Sequence, residues 1–225
     1  MATSGSIAVS ESWVTVTLSW TRTSVDVANN RSTISYTLSL YRKYNINSTA
    51  AKSYSIQING KTVASGTTTI GGSGTKTIRT GTVVIPHNSD GTKTFSLGFS
   101  QEIKATLSGT YVGTLSKSGT GTLDTIPRAS VPTLSTDSQN LGSSTTIYTN
   151  RASAAFTHTI KYTLGAASGT IASGVGTSTS WTLPTGLGSQ MPTSSSKSGT
   201  ITLITYNGST KVGTKSIPFT ARVPS

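Results

Sequence analysis

Trp13-Val14-Thr15-Val16-Thr17-Leu18-Ser19-Trp20 alternates along its length: Val14, Val16, Leu18 and Trp20 point one way, Trp13, Thr15, Thr17 and Ser19 the other. A period of two marks a strand with one face in a core and one in water. The same period returns in Ile34, Tyr36, Leu38 and Leu40, in Tyr54, Ile56 and Ile58, and in Phe95, Leu97 and Phe99 running on to Ile103. Asn59-Gly60 then reads as a two-residue hairpin turn, because both residues tolerate a positive φ. Asn88-Ser89-Asp90-Gly91 reads as the turn entering the Phe95 row, and the Gly-rich Ile70–Thr75 stretch as a flexible loop tip. Two closing strands are expected, at Gly109–Leu115 and Gly119–Leu123.

Composition agrees with that pattern. Ser and Thr supply 82 of the 225 residues and Gly 23, whereas Glu and Met occur twice each, so good helix formers are scarce. Only 33% of residues are hydrophobic, a lean core that suits thin two-sheet sandwiches. The chain has no cysteine, so burial and sheet hydrogen bonds must hold the fold without disulfides. No apolar run reaches the roughly 18 residues of a membrane span. The start, MATSGSIAVS, lacks the basic and apolar regions of a signal peptide, so release by lysis or a dedicated machine is expected.

Thr125-Ile126-Pro127-Arg128-Ala129-Ser130-Val131-Pro132 interrupts the strands with two prolines, which favour an extended connector. Beyond it Phe156, His158, Ile160, Tyr162 and Leu164 alternate along one strand, and short strand-like runs follow at Thr170–Ala172, Ser180–Leu183, Ile201–Tyr206 and Lys211–Phe219. The reading predicts an all-β protein of two tandem antiparallel β-sandwich domains. The first, over 1–126, is jelly-roll-like; a Pro-containing linker covers 127–132; the second, over 133–225, is immunoglobulin-like.

The order of several segments resembles a known family. They are Ile85-Pro86-His87-Asn88-Ser89-Asp90-Gly91-Thr92-Lys93-Thr94-Phe95, the connector Thr125–Ser130, and Asn150-Arg151-Ala152-Ser153 leading into Phe156-Thr157-His158-Thr159. Ser168-Gly169-Thr170-Ile171-Ala172 and Thr205-Tyr206-Asn207-Gly208-Ser209-Thr210-Lys211 complete the set. In this order they resemble the minor structural, tail-fibre-type proteins of siphophages infecting streptococci and related Gram-positive bacteria. The resemblance covers nearly the whole chain. It implies a protein made in the host cytoplasm and carried in the virion tail, multimeric in the particle. Its implied partners are other tail or baseplate proteins in a role in host attachment; bacterial cell-wall polysaccharide is the ligand expected for that role, and the alternative is a purely structural spacer or decoration protein that contacts only other virion subunits. It brings no catalytic residues.

The residues themselves argue against chemistry. The six acids, Glu11, Asp26, Asp90, Glu102, Asp124 and Asp137, form no motif of the paired-carboxylate type that glycoside hydrolysis uses. His87 and His158 lie in different proposed domains without neighbouring metal ligands, and His158 falls on a core-facing row. Gly71-Gly72-Ser73-Gly74-Thr75-Lys76-Thr77 misses the P-loop spacing by one Thr and is followed by strand-like sequence. Asn88 and Asp90 supply too few carboxylates for calcium, and turn stabilisation accounts for them. The expectation is therefore no enzyme, no catalytic residue, no metal and no cofactor.

Charge speaks to partners. The net charge is +12, from eleven basic against five acidic residues in 1–127 and seven against one in 128–225. An even spread argues against specific nucleic-acid binding, which gathers Lys and Arg into a stripe, but would draw the protein towards polyanions such as teichoic-acid-bearing walls. Membrane insertion is not expected. Sugar recognition uses aromatic faces with amide and cationic side chains, which points to Tyr41-Arg42-Lys43-Tyr44-Asn45 at a strand end and, separately, to Trp13. The plain structural reading is that such aromatics cover a second sheet or top a core; Trp20 and Trp181 are assigned to the two cores.

Overall fold

A computed structural model of the chain describes residues 3–224. The chain divides into two compact units, Met1–Asp26 with Asn30–Ile126, and Val27–Asn29 with Pro127–Ser225. Both are built almost wholly from antiparallel strand pairs, and the chain is nearly all β.

The first unit contains eight strands: β1 Ser4–Glu11, β2 Val14–Asp26, β3 Arg31–Ile46, β4 Ala51–Ile58, β5 Lys61–Thr69, β6 Gly72–Pro86, β7 Lys93–Leu107 and β8 Thr110–Leu123. They form two four-stranded sheets, ordered β1-β2-β3-β6 and β5-β4-β7-β8. From β3 to β7 the chain passes between sheets in the manner of a jelly roll. At the ends it does not cross: β1, β2 and β3 are a meander within one sheet, and β8 returns beside β7. Val14, Val16, Leu18 and Trp20 of β2 are buried against Ile34 to Leu40 of β3, and the Phe95 to Ile103 row of β7 closes the core from the other sheet. Each such side chain contributes about 1.5–3 kcal/mol by leaving water. Asn59 and Gly60 carry the positive φ values, 52° and 76°, that a tight hairpin turn demands.

The second unit places β9 Thr133–Leu134, β11 Ser144–Tyr148 and β14 Ser178–Thr182 in one sheet, ordered β14-β11-β9. The facing sheet runs β10-β16-β15-β12-β13, from β10 Ser138–Asn140, β12 Phe156–Leu164, β13 Ala167–Val175, β15 Ser196–Asn207 and β16 Thr210–Arg222. Strand β10 pairs in parallel with β16, and the remaining pairs are antiparallel. This is an immunoglobulin-like arrangement. With no cysteine available, Trp181 fills the core, edge to face with Phe219 and tilted against Tyr162, each ring centroid 5.2 Å away. The connector is extended and anchored: Arg128 lies over the Phe156 ring, and Ser130 bonds Thr205 and His158.

Two devices explain the odd composition. Hydroxyls pair across strands on the outer faces, as in Ser10–Thr15, Ser55–Ser100, Thr94–Thr122, Ser144–Thr182 and Thr202–Ser216, at 2.7–3.2 Å. Glycines sit opposite aromatics. Gly5 faces Trp20, Gly66 Tyr54, Gly81 Tyr36, Gly121 Phe95, Gly169 Tyr162 and Gly199 Phe219, each pair in register on adjacent strands. A Cβ at any of the six would lie no more than 3.1 Å from an atom of the aromatic side chain. The ring lies over backbone that the glycine leaves bare, which restores the packing a strand glycine forfeits.

Three local expectations are corrected. Residues 110–123 form one continuous strand rather than two, because Gly119 and Gly121 are covered by Ile7 and Phe95. Trp13 belongs to the turn between β1 and β2, and the strand starts at Val14. The Ile70–Thr75 stretch is not a loose tip: Ile70 is fully buried and β6 begins at Gly72.

Candidate ligand-binding groove

The β1–β2 turn, with Ser12 at φ 52°, leaves Trp13 at the end of the first sheet. Strand β3 overruns β2 there: Arg42 is the last residue paired with β2, opposite Val14, and Lys43–Asn45 project beyond it as exposed residues. The Lys43 N–H donates to the Trp13 carbonyl at 2.9 Å, tying the overhang to the turn. The Trp13 and Tyr44 rings then meet edge to face, centroids 4.4 Å apart at 68°. The Lys43 ammonium stands 5.3 Å from the centre of the Tyr44 ring. Two residues proposed separately thus form one aromatic corner, with Trp13 41% and Tyr44 49% exposed.

The opposite wall comes from the end of β7. One extra residue interrupts its pairing with β8 between Glu102 and Ala105, and Lys104 takes a positive φ of 46°. Such a bulge re-aims side chains near a strand end. The result is a groove of about 510 Å³ between Trp13, Tyr44 and Asn45 on one side and Lys104, Thr106 and Ser108 on the other. That volume falls within the range of small-ligand clefts, roughly 300–1,000 Å³. Asn45 donates its amide to the Asn47 side-chain oxygen at 2.7 Å, which orients the two lining side chains relative to each other.

The electrostatics of the β7 wall are set by one ion pair. Lys104 Nζ lies 2.5 Å from Glu102 Oε1, and Glu102 Oε2 accepts the Ser53 N–H at 3.1 Å. The Lys104 ammonium and the Ser53 donor hold the Glu102 carboxyl below its ordinary pKa, and the Glu102 side chain raises that of Lys104. Lys52 donates to the Lys104 carbonyl at 3.2 Å, so a second ammonium stands beside the bulge.

The remaining proposed residues lie elsewhere. Tyr41 is 47% exposed on the outer face of the sheet, opposite Thr15 and Thr75, and does not line the groove. Arg42 is only 5% exposed and turned inward, so it cannot reach a ligand; this corrects its assignment to the site. Its guanidinium donates to the carbonyls of Gly74 and Ile70, at 3.2 and 3.1 Å, of Ser73 at 3.1 Å, and of Gly71. Burial lowers its pKa, and four carbonyl dipoles compensate the charge. Arg42 therefore holds the β5–β6 connection in place.

Three further carboxylates and both histidines serve the scaffold. Asp26 pairs with Arg31 at 3.0 Å and Asp124 with Arg22 at 2.7 Å, while Asp90 accepts from the Thr92 N–H and hydroxyl, which lowers its pKa. Both histidines share one bonding pattern. His87 Nδ1 lies 2.7 Å from the Gly91 carbonyl and Nε2 2.9 Å from the Ser32 hydroxyl. His158 Nδ1 lies 2.9 Å from the Val175 carbonyl and Nε2 2.8 Å from the Ser130 hydroxyl. A carbonyl can only accept, so Nδ1 carries the proton in both. Among the described residues, no three His, Cys, Asp or Glu side chains gather as a metal site would require.

Residues 11–225 match the family described as "Siphovirus protein of unknown function (DUF859)". No curated protein matches the chain. Among solved structures, the chain is similar to fibronectin(III)-like modules of CbhA from Clostridium thermocellum, at 8% identity and a TM-score of 0.24, covering 85% of each chain. It is also similar to the adhesin domain of Epf from Streptococcus pyogenes, at 10% identity and a TM-score of 0.29, covering 98% of this chain and 80% of that one. Superpositions this loose carry no functional weight.

Proposed function

The chain belongs to this siphovirus family, and from that premise we propose that it is a non-enzymatic virion protein of the tail or baseplate. It contributes to host attachment by binding bacterial surface polysaccharide in the Trp13–Tyr44 groove. The carrying observation is the pair of half-exposed rings, 4.4 Å apart, in a cleft lined by amides and hydroxyls. Large aromatics left in water at a concave surface forgo the burial free energy they would gain elsewhere. Covering the apolar face of a sugar ring recovers it, while Asn45, Asn47, Ser48 and Ser108 bond ring hydroxyls. A single such site is shallow and weak. Several copies on one particle raise its avidity by orders of magnitude, roughly 10²–10⁴-fold.

The test is a multimerised fluorescent fusion applied to host cells and to purified wall polysaccharide. Labelling is expected, together with its loss on Trp13→Ala or Tyr44→Ala. Absence of labelling by the wild-type fusion sinks the attachment role. The second reading, a spacer whose partners are other virion subunits, draws on the second unit, whose Trp181 and Phe219 are both turned into its core. Particles lacking the gene that adsorb normally but assemble poorly would favour it. Electron microscopy of intact particles labelled on this protein locates it on tail, baseplate or elsewhere.

A further inference from the structure

The groove has a charge character that its aromatic corner does not explain. None of its lining residues is acidic, and Lys104 lines one wall. Lys43 stands against Tyr44 at the other, and Lys52 reaches the bulge through the Lys104 carbonyl. Glu102 matches one of these three ammonium groups, Lys104. Asp26 and Asp124 are joined to Arg31 and Arg22, and Asp90 to the Thr92 turn. Among the described residues no ion pair joins Lys43 or Lys52 to a carboxylate, Glu11 at the end of β1 included, so two unpaired ammonium groups stand beside the lining residues Tyr44 and Lys104.

We infer that the groove takes an acidic polysaccharide, presenting an oxyanion to Lys43 and Lys52 beside the sugar face that covers Trp13 and Tyr44. This rests on the reading of the groove as a polysaccharide site and adds the ligand's charge. A phosphodiester and a uronic carboxylate offer the same chemistry: oxygens that accept charge-assisted hydrogen bonds from ammonium groups. Lys43 stands beside the aromatic wall and Lys52 beside the Lys104 wall, so a repeating anion along one polymer strand can engage both. The field at the groove also hastens encounter with such a polymer and is weakened by salt.

The experiment measures binding of the full chain to immobilised polyglycerol phosphate, polygalacturonate and dextran, in low salt and in about 0.5 M salt. A protein of net charge +12 would adhere to any polyanion, so a charge-matched control is essential. Lys43→Gln with Lys52→Gln removes two charges at the groove, and Lys211→Gln with Lys215→Gln removes two in the second unit. The expectation is that one or both acidic polymers bind, dextran does not, and the groove pair of substitutions weakens binding about tenfold while the control pair leaves it within about twofold. Whether the phosphate or the uronate polymer binds better tells the source of the oxyanion. Equal losses from the two pairs overturn the inference in favour of a diffuse field. Dextran binding that ignores salt but is lost in Trp13→Ala overturns it too, yet leaves the aromatic groove standing as a sugar site. If none of the three polymers binds, the charged-ligand inference falls, and the cell-labelling assay alone decides the groove.

Discussion

Each unit contains a tryptophan in contact with a tyrosine, and the two pairs have opposite fates. Trp181 and Tyr162 lie inside the second sandwich, with Phe219 packed on the indole and Trp181 only 7% exposed. Trp13 and Tyr44 meet outside the first, in a turn and a strand overhang, with nearly half of each left to solvent. The residue types are the same, so chemistry does not sort them. Position does: Trp181 occupies an inward place on a paired strand, whereas Trp13 lies in the turn one residue before β2, on the parity of that strand's outward row. A ring on the core side stabilises the fold, and a ring beyond the last pair is free for a partner.

That contrast can be broken by substitution. Trp181→Ala should cost about 3–5 kcal/mol of stability by chemical denaturation, as a large cavity opens between the sheets of the second unit. Trp13→Ala should cost at most about 1 kcal/mol in the same assay while abolishing cell labelling. Comparable destabilisation by both would mean that Trp13 is a structural residue after all. The next largest effect probes the inward arginine of the overhang. Arg42→Ala should cost about 2–3 kcal/mol, because carbonyls of residues 70–74 lose their donor, and should speed proteolysis at that connection. If it leaves proteolysis unchanged but lowers polysaccharide binding, Arg42 belongs to the site.

A subtler test concerns Gly81, which faces Tyr36, itself 4% exposed and unable to swing aside. Gly81→Ala should cost about 1–3 kcal/mol, and Tyr36→Leu in the same chain should recover part of that loss in a double-mutant cycle. Additive effects would show that the ring does not depend on the bare backbone beneath it. The smallest effect distinguishes the units by pH. Asp90 and Glu102 in the first unit have pKa values below the ordinary carboxylate range in the folded state. Their contribution is present above the unfolded-state value and is lost as pH falls through the folded one, below about pH 4. The melting midpoint should fall there, and Asp90→Asn with Glu102→Gln should flatten the fall.

The core rows were legible because alternation is local: Val14 to Trp20, Ile34 to Leu40 and Phe95 to Ile103 declare their faces within eight or nine residues. Strand β8 was harder, since Gly119 and Gly121 look like breakers until the rings and side chains from other strands that cover them are known. Arg42 is placed by parity, since it continues the inward row of Ile34, Tyr36, Leu38 and Leu40, and it stays buried because backbone carbonyls of residues 70–74, far along the chain, accept its donors. Trp13 and Tyr44 could be named singly, though not as a pair, because their meeting depends on the register that sets Val14 opposite Arg42. The Lys104 wall had no local signal. A lysine at positive φ leaves no mark in the sequence, and its distance from the aromatic corner is closed only by stacking the two sheets.

The glycine–aromatic pairs have a bearing on inheritance. At each of six places a bare backbone on one strand and a ring on its neighbour are two halves of a single fitted contact. A lineage that enlarges the glycine must shrink or move the ring, and one that loses the ring exposes the glycine. Such positions cannot drift independently. Across relatives of this chain the two members of each pair should change together or not at all, so that joint substitution at residues 36 and 81, or 162 and 169, becomes a record of the strand register written in descent.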